Sequence, residues 1–318
     1  MRQPLRMSRR RSTFASSLAA VALVLSWQSN ARAQACCAGA GTVTPGRLGL
    51  HEIALIGLQA KAATELGSFD AQGSYAGSPA GASELDFEQD LFAALRVLNR
   101  GQVAVLVPLD ETRRTAQGLS EFGGGVGDVN LNLRYDFTLA GASLVMPGIA
   151  ALAGITFPTG KPPDAPDLRP LATDATGIGA YQVSFGLAAE QAFGPWLVNA
   201  TGMVAARTAR SVESSGITVH ERLSSQWTAL ASVGYVLPSE AALAVSAAYS
   251  VEGDATINGQ KAPDSGHRLT TLTASGLLPL SDAWRLQSAL FVNPPVSSLG
   301  LNQTALGGLL ITVVHSWI

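Results

Sequence analysis

Acidic side chains recur at every second position in one short segment of the chain. The four residues are Glu84, Asp86, Glu88 and Asp90, the acidic ladder. Successive residues of a β-strand point to opposite faces, so this spacing places all four carboxylates on one face. A row of carboxylates along a channel wall attracts cations and repels anions. The other interpretation is a salt-bridged filling that keeps the wall rigid.

Further charged residues lie on the polar parity of other predicted strands. Residues 129–139 read V-N-L-N-L-R-Y-D-F-T-L, with apolar and polar positions alternating. Arg134 and Asp136 belong to the polar set, and Glu190, Arg207 and Arg285 occupy comparable positions elsewhere. We predict that all of them face an enclosed lumen. In a selectivity strip, the acidic ladder is expected to face Arg134, Arg207 or Arg285.

The elements that position these residues are strands with one apolar and one polar face. Such strands recur down the chain, and the segments between them are alternately short and long. This pattern is typical of an all-β, up-and-down antiparallel transmembrane β-barrel of the outer-membrane type, here with about 12 strands. The predicted strands are 48–61, 84–97, 102–110, 128–139, 147–158, 179–191, 196–208, 224–237, 241–252, 268–280, 283–292 and 305–317.

Aromatic residues support this interpretation because their amphipathic rings favour the two membrane interfaces of a barrel. At the short-turn ends we expect Tyr135, Phe137, Trp196, Tyr235, Trp284 and Trp317. At the long-loop ends we expect Phe87, Phe157, Tyr181, Trp227 and Tyr249. Trp317 is the penultimate residue, so the terminal aromatic that barrel assembly machinery recognises is shifted by one position.

The N-terminus has the features of a secretory signal. Arginines precede an apolar run from Phe14 to Trp27, and Ala31-Arg32-Ala33 fits a signal peptidase site. We therefore expect residues 1–33 to be cleaved, 34–47 to form a short periplasmic tail, and 48–318 to form the barrel. An even strand number with short periplasmic turns places both termini in the periplasm. A twin-arginine signal fits less well, because a barrel crosses the inner membrane unfolded.

Cys36 and Cys37 are the two cysteines of the chain. Being adjacent, they cannot staple the fold. Lipid attachment at Cys36 lacks the usual leucine three residues earlier, and two thiolates alone do not complete a tetrahedral metal site. We expect them to belong to the tail, and we expect no cofactor and no metal.

Net charge excludes one class of partner. The chain has 21 basic and 23 acidic residues, and the signal removes six arginines, which leaves 21 − 6 = 15 basic residues and a net charge of −8. Nucleic acid is therefore an unsuitable partner. The expected partners are outer-membrane lipid, the assembly machinery and a small-molecule solute, and the expected state is a monomer.

An enzyme is the rival class, because some outer-membrane barrels are hydrolases. The sequence contains no Gly-x-Ser-x-Gly elbow. Its four histidines are His51, His220, His267 and His315, of which only His220, with Ser224, is placed to form a catalytic pair. A histidine in a loop is usually solvated, so we predict that the protein is not an enzyme.

Two motifs resemble a known family. They are Gly125-Val126-Gly127-Asp128, which precedes an alternating strand, and Phe157-Pro158-Thr159-Gly160-Lys161 at a strand-to-loop boundary. They are similar to motifs of the outer-membrane family named for the MetA pathway of phenol degradation. The resemblance implies a barrel that passes small, often aromatic or hydrophobic compounds, with no catalytic residues. The expected function is passive uptake of such solutes, and the alternative is a structural or ligand-binding barrel without conductance.

Overall fold

The computed structural model describes residues 46–141, 143, 145–165, 167–214 and 217–318. The predicted signal, most of the predicted tail, and both cysteines lie outside these residues. None of the described residues forms a helix long and apolar enough to cross a membrane.

Twelve long strands form one antiparallel sheet that closes on itself, which confirms the predicted fold class. They are β1 Ala54–Phe69, β2 Ser83–Leu98, β3 Gly101–Ala116, β4 Val129–Asp136, β5 Gly148–Phe157, β6 Gln182–Phe193, β7 Trp196–Arg207, β8 Gln226–Val236, β9 Ala242–Glu252, β10 His267–Pro279, β11 Trp284–Val292 and β12 Gln303–Trp317.

Each strand pairs with its neighbours in sequence, and β1 pairs with β12 from Ala54↔Trp317 to Phe69↔Gln303. We call the end of the barrel that carries the short connections the turn end, and the opposite end the loop end. The chain enters β1 and leaves β12 at the turn end.

Side chains alternate between the two faces of the wall. On β1 and β2, Leu58 lies opposite Leu91, and both are about half exposed on the outside. The next pair, Gln59 and Asp90, points inward and is buried. The outer surface therefore presents apolar side chains, and much of the inner surface is polar.

The predicted aromatic residues all lie exposed on the outer surface near strand ends. Rings of the same end contact one another, with centroid distances of 5.2 Å for Tyr135–Phe137 and 5.0 Å for Trp196–Tyr235 at the turn end. Their insertion into the two membrane interfaces stays a prediction.

The predicted start of the first strand is wrong, since β1 begins at Ala54 and not at residue 48. Residues 46–53, which we call the entry segment, precede β1 and fold into the turn end of the lumen. Leu48 is buried there against Phe92, Ala104 and Val314. Alternation alone does not reveal this because side chains hold most of the entry segment, and backbone hydrogen bonds to the neighbouring strands begin only at Ile53.

The loop end also carries more structure than predicted. The region 111–127, expected to be a loop, extends β3 and adds the strand Leu119–Val126, which pairs with β3. A separate four-stranded sheet consists of Arg210–Ser214, Ile217–Arg222, Thr256–Ile257 and Gln260–Lys261. The remaining short strands are Tyr75–Gly77 and Gly300–Leu301.

The assignment of side chains to the outer or inner face of the barrel can be tested on β9. There Val245 is 61% exposed on the outside, and Ser246 lines the lumen. We expect Val245→Arg to cost about 2–4 kcal/mol, because it places a charge in hydrocarbon, and Ser246→Arg to cost far less. The measurement is urea unfolding in lipid bilayers, followed by heat-modifiable gel mobility. Equal losses in the two variants would contradict the assignment.

Candidate functional site

The lumen holds a cavity of about 590 Å³ to which all twelve strands contribute side chains. Three of the lining residues are charged, namely Lys61, Glu88 and Asp90. Six carry amides and six carry hydroxyls, and the rest are apolar. The amides are Gln59, Asn130, Asn132, Gln182, Gln226 and Asn293, and the hydroxyls are Thr156, Ser184, Thr228, Ser246, Thr271 and Thr273. The cavity can thus hydrogen-bond a solute from most directions.

The acidic ladder lies on the inner face of β2, with its first two members toward the loop end. Glu84 forms a bidentate pair with Arg114, whose Nε and Nη2 each donate at 2.8 Å. Asp86 accepts a hydrogen bond from Thr112 at 2.9 Å. Glu88 pairs with Lys61 Nζ at 2.6 Å. The expectation that the ladder faces Arg134, Arg207 or Arg285 is wrong, since its cations come from the adjacent strands β1 and β3.

Asp90 is held in one orientation by a chain of hydrogen bonds. Thr312 Oγ1 donates to Gln59 Oε1 at 3.2 Å, and Gln59 Nε2 donates to Asp90 Oδ2 at 2.8 Å. The Asp90 residue is 2% exposed, and its Oδ1 has no hydrogen-bond partner among the described residues. Buried carboxylate oxygens normally have hydrogen-bond partners, so this oxygen of the cavity wall lacks a donor that it would usually have.

Three of the predicted lumen residues form an ionic cluster at the turn end instead of lining the large cavity. Arg134 Nη2 lies 2.8 Å from Asp136 Oδ1 and 3.2 Å from Glu190 Oε1. Glu190 is buried, and its carboxylate also accepts hydrogen bonds from Asn199 and from Arg47 of the entry segment. The cluster therefore ties the entry segment to β4, β6 and β7.

A second ionic contact anchors the other end of the entry segment. Glu52 is buried and pairs with Arg285 of β11. Arg96 donates to the carbonyl oxygens of Gly49 and Glu52 at 2.6 and 2.9 Å. Removing one partner of a buried pair leaves an uncompensated charge, so these contacts hold the segment firmly.

The entry segment narrows the lumen at the turn end. Gln102 contacts it twice, accepting from the Leu48 amide at 3.0 Å and donating to the Gly46 carbonyl at 3.2 Å. Beside Arg47, a small cavity of about 30 Å³ lies against Asn132 and Met203 of the wall. This is a small fraction of the cavity above it.

Arg207 belongs to a cluster at the loop end. Its guanidinium donates to Gln182, Glu252 and Gln226 at 2.8, 2.7 and 3.2 Å. Glu252 is buried and the Arg207 side chain is 9% exposed, and the cluster ties β6, β7, β8 and β9 together.

The two sequence motifs meet in space at the loop end. The carboxylate of Asp128 accepts hydrogen bonds from the amides of Gly160 and Ile178 at 2.9 and 2.7 Å. Thr159 Oγ1 donates to the Gly127 carbonyl at 2.7 Å. A Cβ at Gly160 would lie 2.7 Å from the Cα of Gly177, so glycine is needed for this close approach. The motifs thus pin the loop 158–181 to the start of β4.

An ion pair further fixes this loop. Lys161 Nζ donates to Asp174 Oδ2 at 2.7 Å, and this hydrogen bond lowers the pKa of Asp174 to about 2. A lowered folded-state pKa stabilises the loop above the usual aspartate pKa of 3.8, and the contribution is lost as the pH falls toward 2.

The structure pairs His220 with a serine other than Ser224, the candidate partner in the rival enzyme interpretation. His220 Nδ1 lies 3.0 Å from Ser211 Oγ, on the exposed four-stranded loop sheet. Ser224 lies elsewhere, beside Gly253. His315 contacts Trp284 and Trp317 near the turn end, with ring centroids 4.6 and 4.4 Å away. Neither histidine lines the cavity.

Sequence reasoning missed four charged residues that matter here. Lys61 had a usable signal, since it lies on the polar parity of the strand next to the acidic ladder, whereas Arg114 lies in the region 111–127 that was expected to be a loop. Arg47 had none because it precedes the first predicted strand, and Glu52 falls within that predicted strand but outside its polar parity.

The fold is similar to that of known outer-membrane barrels. No protein-family model and no curated protein matches the sequence. The COG4313 outer membrane channel from Pseudomonas putida F1 is 18% identical, with a TM-score of 0.70 over 86% of this chain and 100% of that one. The translocator domain of the autotransporter NalP from Neisseria meningitidis is 11% identical, with a TM-score of 0.48 over 95% and 98% of the two chains.

The role of Asp128 gives one prediction. We expect Asp128→Ala to release the loop 158–181, because two backbone amides lose their acceptor, and hydrogen–deuterium exchange of this loop should rise. Asp282→Ala, at an exposed residue of the turn end, serves as the control and should change exchange of this loop little. Unchanged protection in Asp128→Ala would show that other contacts hold the loop.

The entry segment gives a second prediction. We expect Arg47→Gln with Glu52→Gln to loosen the segment and raise single-channel conductance in planar bilayers, since both buried ion pairs are lost. The matched control is Arg100→Gln with Glu240→Gln, which makes the same charge changes at exposed residues of the turn end. Equal conductance in both double variants would mean that the segment does not limit passage.

Proposed function

We propose that this protein is an outer-membrane channel for passive uptake of small solutes, with both termini in the periplasm. The observation that carries the proposal is the cavity of about 590 Å³ lined by all twelve strands of a closed barrel. An apolar outer surface suits lipid, and a polar inner surface suits an aqueous path. The similar fold of the channel from Pseudomonas putida F1 is in line with this role.

The finer proposal is that the solutes have an apolar or aromatic part. The ring of Phe291 lies over Gly308, where an added Cβ would approach Phe291 Cε1 to 2.9 Å. Leu306 and Leu310 lie on the same strand as Gly308 and also line the cavity. Together Phe291, Leu306 and Leu310 form an apolar patch on β11 and β12, and five further apolar residues line the cavity from other strands. Such a patch suits a ring or a short hydrocarbon group.

A ligand-binding barrel without conductance is the second candidate. The observation that favours it is the entry segment, which lies in the turn end of the lumen and is tied to the wall by ion pairs with Glu190 and Arg285. A solute would then reach the cavity from the loop end and stay there. Conductance measurements separate the two candidates.

The proposed selectivity role of the acidic ladder is tested by changing Glu84 and Glu88 to Gln and Asp86 and Asp90 to Asn. We expect the variant to lose cation preference at low salt, because the fixed charge is gone while the amides keep their hydrogen-bonding capacity. The measurement is the reversal potential across a planar bilayer under a salt gradient.

The matched control neutralises four exposed acids outside the lumen, namely Asp167, Glu240, Asp264 and Asp282. Its reversal potential should stay close to that of the wild type. A conducting ladder variant with wild-type selectivity would reduce the ladder to wall filling. Absence of conductance in every form would reject the channel and leave the ligand-binding barrel.

A further inference from the structure

The cavity wall on β1, β2 and β3 has more carboxylates than cations. Glu88 lies opposite Lys61 on one side and opposite Asp110 on the other, and Asp90 follows two residues later on the same face. Among the described residues, Glu88 forms an ion pair with Lys61. Asp90 and Asp110 form no ion pair with any described residue. This part of the wall can therefore accept additional positive charge.

Lys61 shows how an ammonium group fits this wall. Its Nζ lies 2.6 Å from Glu88 Oε2 and 5.7 Å from the centroid of the Phe291 ring. A carboxylate together with an aromatic face is the usual environment for binding an ammonium. The Lys61 side chain is 32% exposed and its four-carbon chain is flexible, so it can move aside for another cation.

Asp90 is the independent indication of a ligand. Its residue is 98% buried, its Oδ2 is fixed by Gln59, and its Oδ1 has no partner in the described part of the chain. An oxygen held in place and left without a donor is preorganised for one. An ammonium supplies up to three N–H donors, enough for Asp90 and Glu88 together.

The apolar patch adjoins these carboxylates. Lys61 lies opposite Leu310 in the β1–β12 ladder, and Phe291 lies opposite Gly308 in the β11–β12 ladder. A solute with its charged end at Asp90 and Glu88 can therefore place its apolar part on Phe291, Leu306 and Leu310. Both parts fit within the same cavity.

We infer that the lumen contains a binding subsite for small organic ammonium compounds, with Asp90 and Glu88 taking the ammonium and the apolar patch taking an aromatic or short aliphatic group. This inference rests on the proposed function and specifies its solute. Lys61 acts in it as a tethered cation that a solute displaces.

The test is isothermal titration calorimetry of the folded full-length mature protein in detergent, with three probes of similar size. These are 2-phenylethylammonium, neutral 2-phenylethanol and anionic phenylacetate. We expect the ammonium to bind roughly tenfold more tightly than the alcohol, about the value of one hydrogen bond to a charged group. Phenylacetate should bind more weakly than the alcohol.

Variants assign the contacts. Asp90→Asn with Glu88→Gln should bring ammonium binding down to the level of the alcohol, and Phe291→Ala should weaken both probes. Lys61→Met should strengthen ammonium binding, because the competing cation is removed. Glu240→Gln, which changes an exposed charge outside the cavity, is the control and should bind as the wild type does. Heat-modifiable gel mobility checks that each variant is folded.

Equal affinity for the ammonium and the alcohol, or full ammonium binding by the folded Asp90→Asn, Glu88→Gln variant, would overturn the inference. Flux is measured separately, by swelling of liposomes in the neutral and charged probes. Binding without flux would reject the channel and keep the subsite. Flux without ammonium preference in binding would keep the channel and reject the subsite.

Discussion

Every other feature of this protein presupposes that its first strand pairs with its last. Lipid offers no partner to backbone N–H and C=O groups, so a membrane-spanning sheet must have no open edge. The ladder from Ala54↔Trp317 to Phe69↔Gln303 removes both edges at once. Closure also separates an inner from an outer surface. Because apolar and polar side chains alternate along each strand, the outer surface becomes apolar and the inner surface largely polar.

The inside then imposes its own requirement, because charged groups confined in a narrow lumen need partners. Most find them across neighbouring strands or strand ends, as in Glu84–Arg114 and Arg207–Glu252. Each such pair costs desolvation and repays it only with good geometry. Asp90 Oδ1 departs from this rule in the middle of the cavity, and for this reason it identifies a binding position where the paired residues do not.

The two ends of the barrel are finished in different ways. At the turn end the entry segment folds inward and is held by Glu190 and Arg285. At the loop end Asp128 collects two distant backbone amides and fixes the loop 158–181. In both places, buried carboxylates or ion pairs fix a segment of the chain that is not a strand of the barrel. A solute would meet a structured entrance at one end and a narrowed passage at the other.

The sequence by itself determined the barrel, because facing is a local property of the strand. Leu58 and Gln59 differ only in parity, and the twelve blocks, the outward aromatics and the inward acids all follow from that period of two. The start of β1 was less accessible, because Leu48 and Leu50 continue the alternation of Ile56 and Leu58 into the entry segment, beyond the true end of the strand.

Partners across the lumen wall were decided by the tertiary structure alone. Which cation pairs with Glu88 depends on the register between β1 and β2. A register shift of two residues would leave each side chain on the same face of the sheet but would change its partner on the neighbouring strand. The same holds for Arg47 with Glu190 and for Asp128 with Ile178, which lie 143 and 50 residues apart in the chain. Alternation fixes the face of a side chain, whereas sheet closure and register fix what it touches.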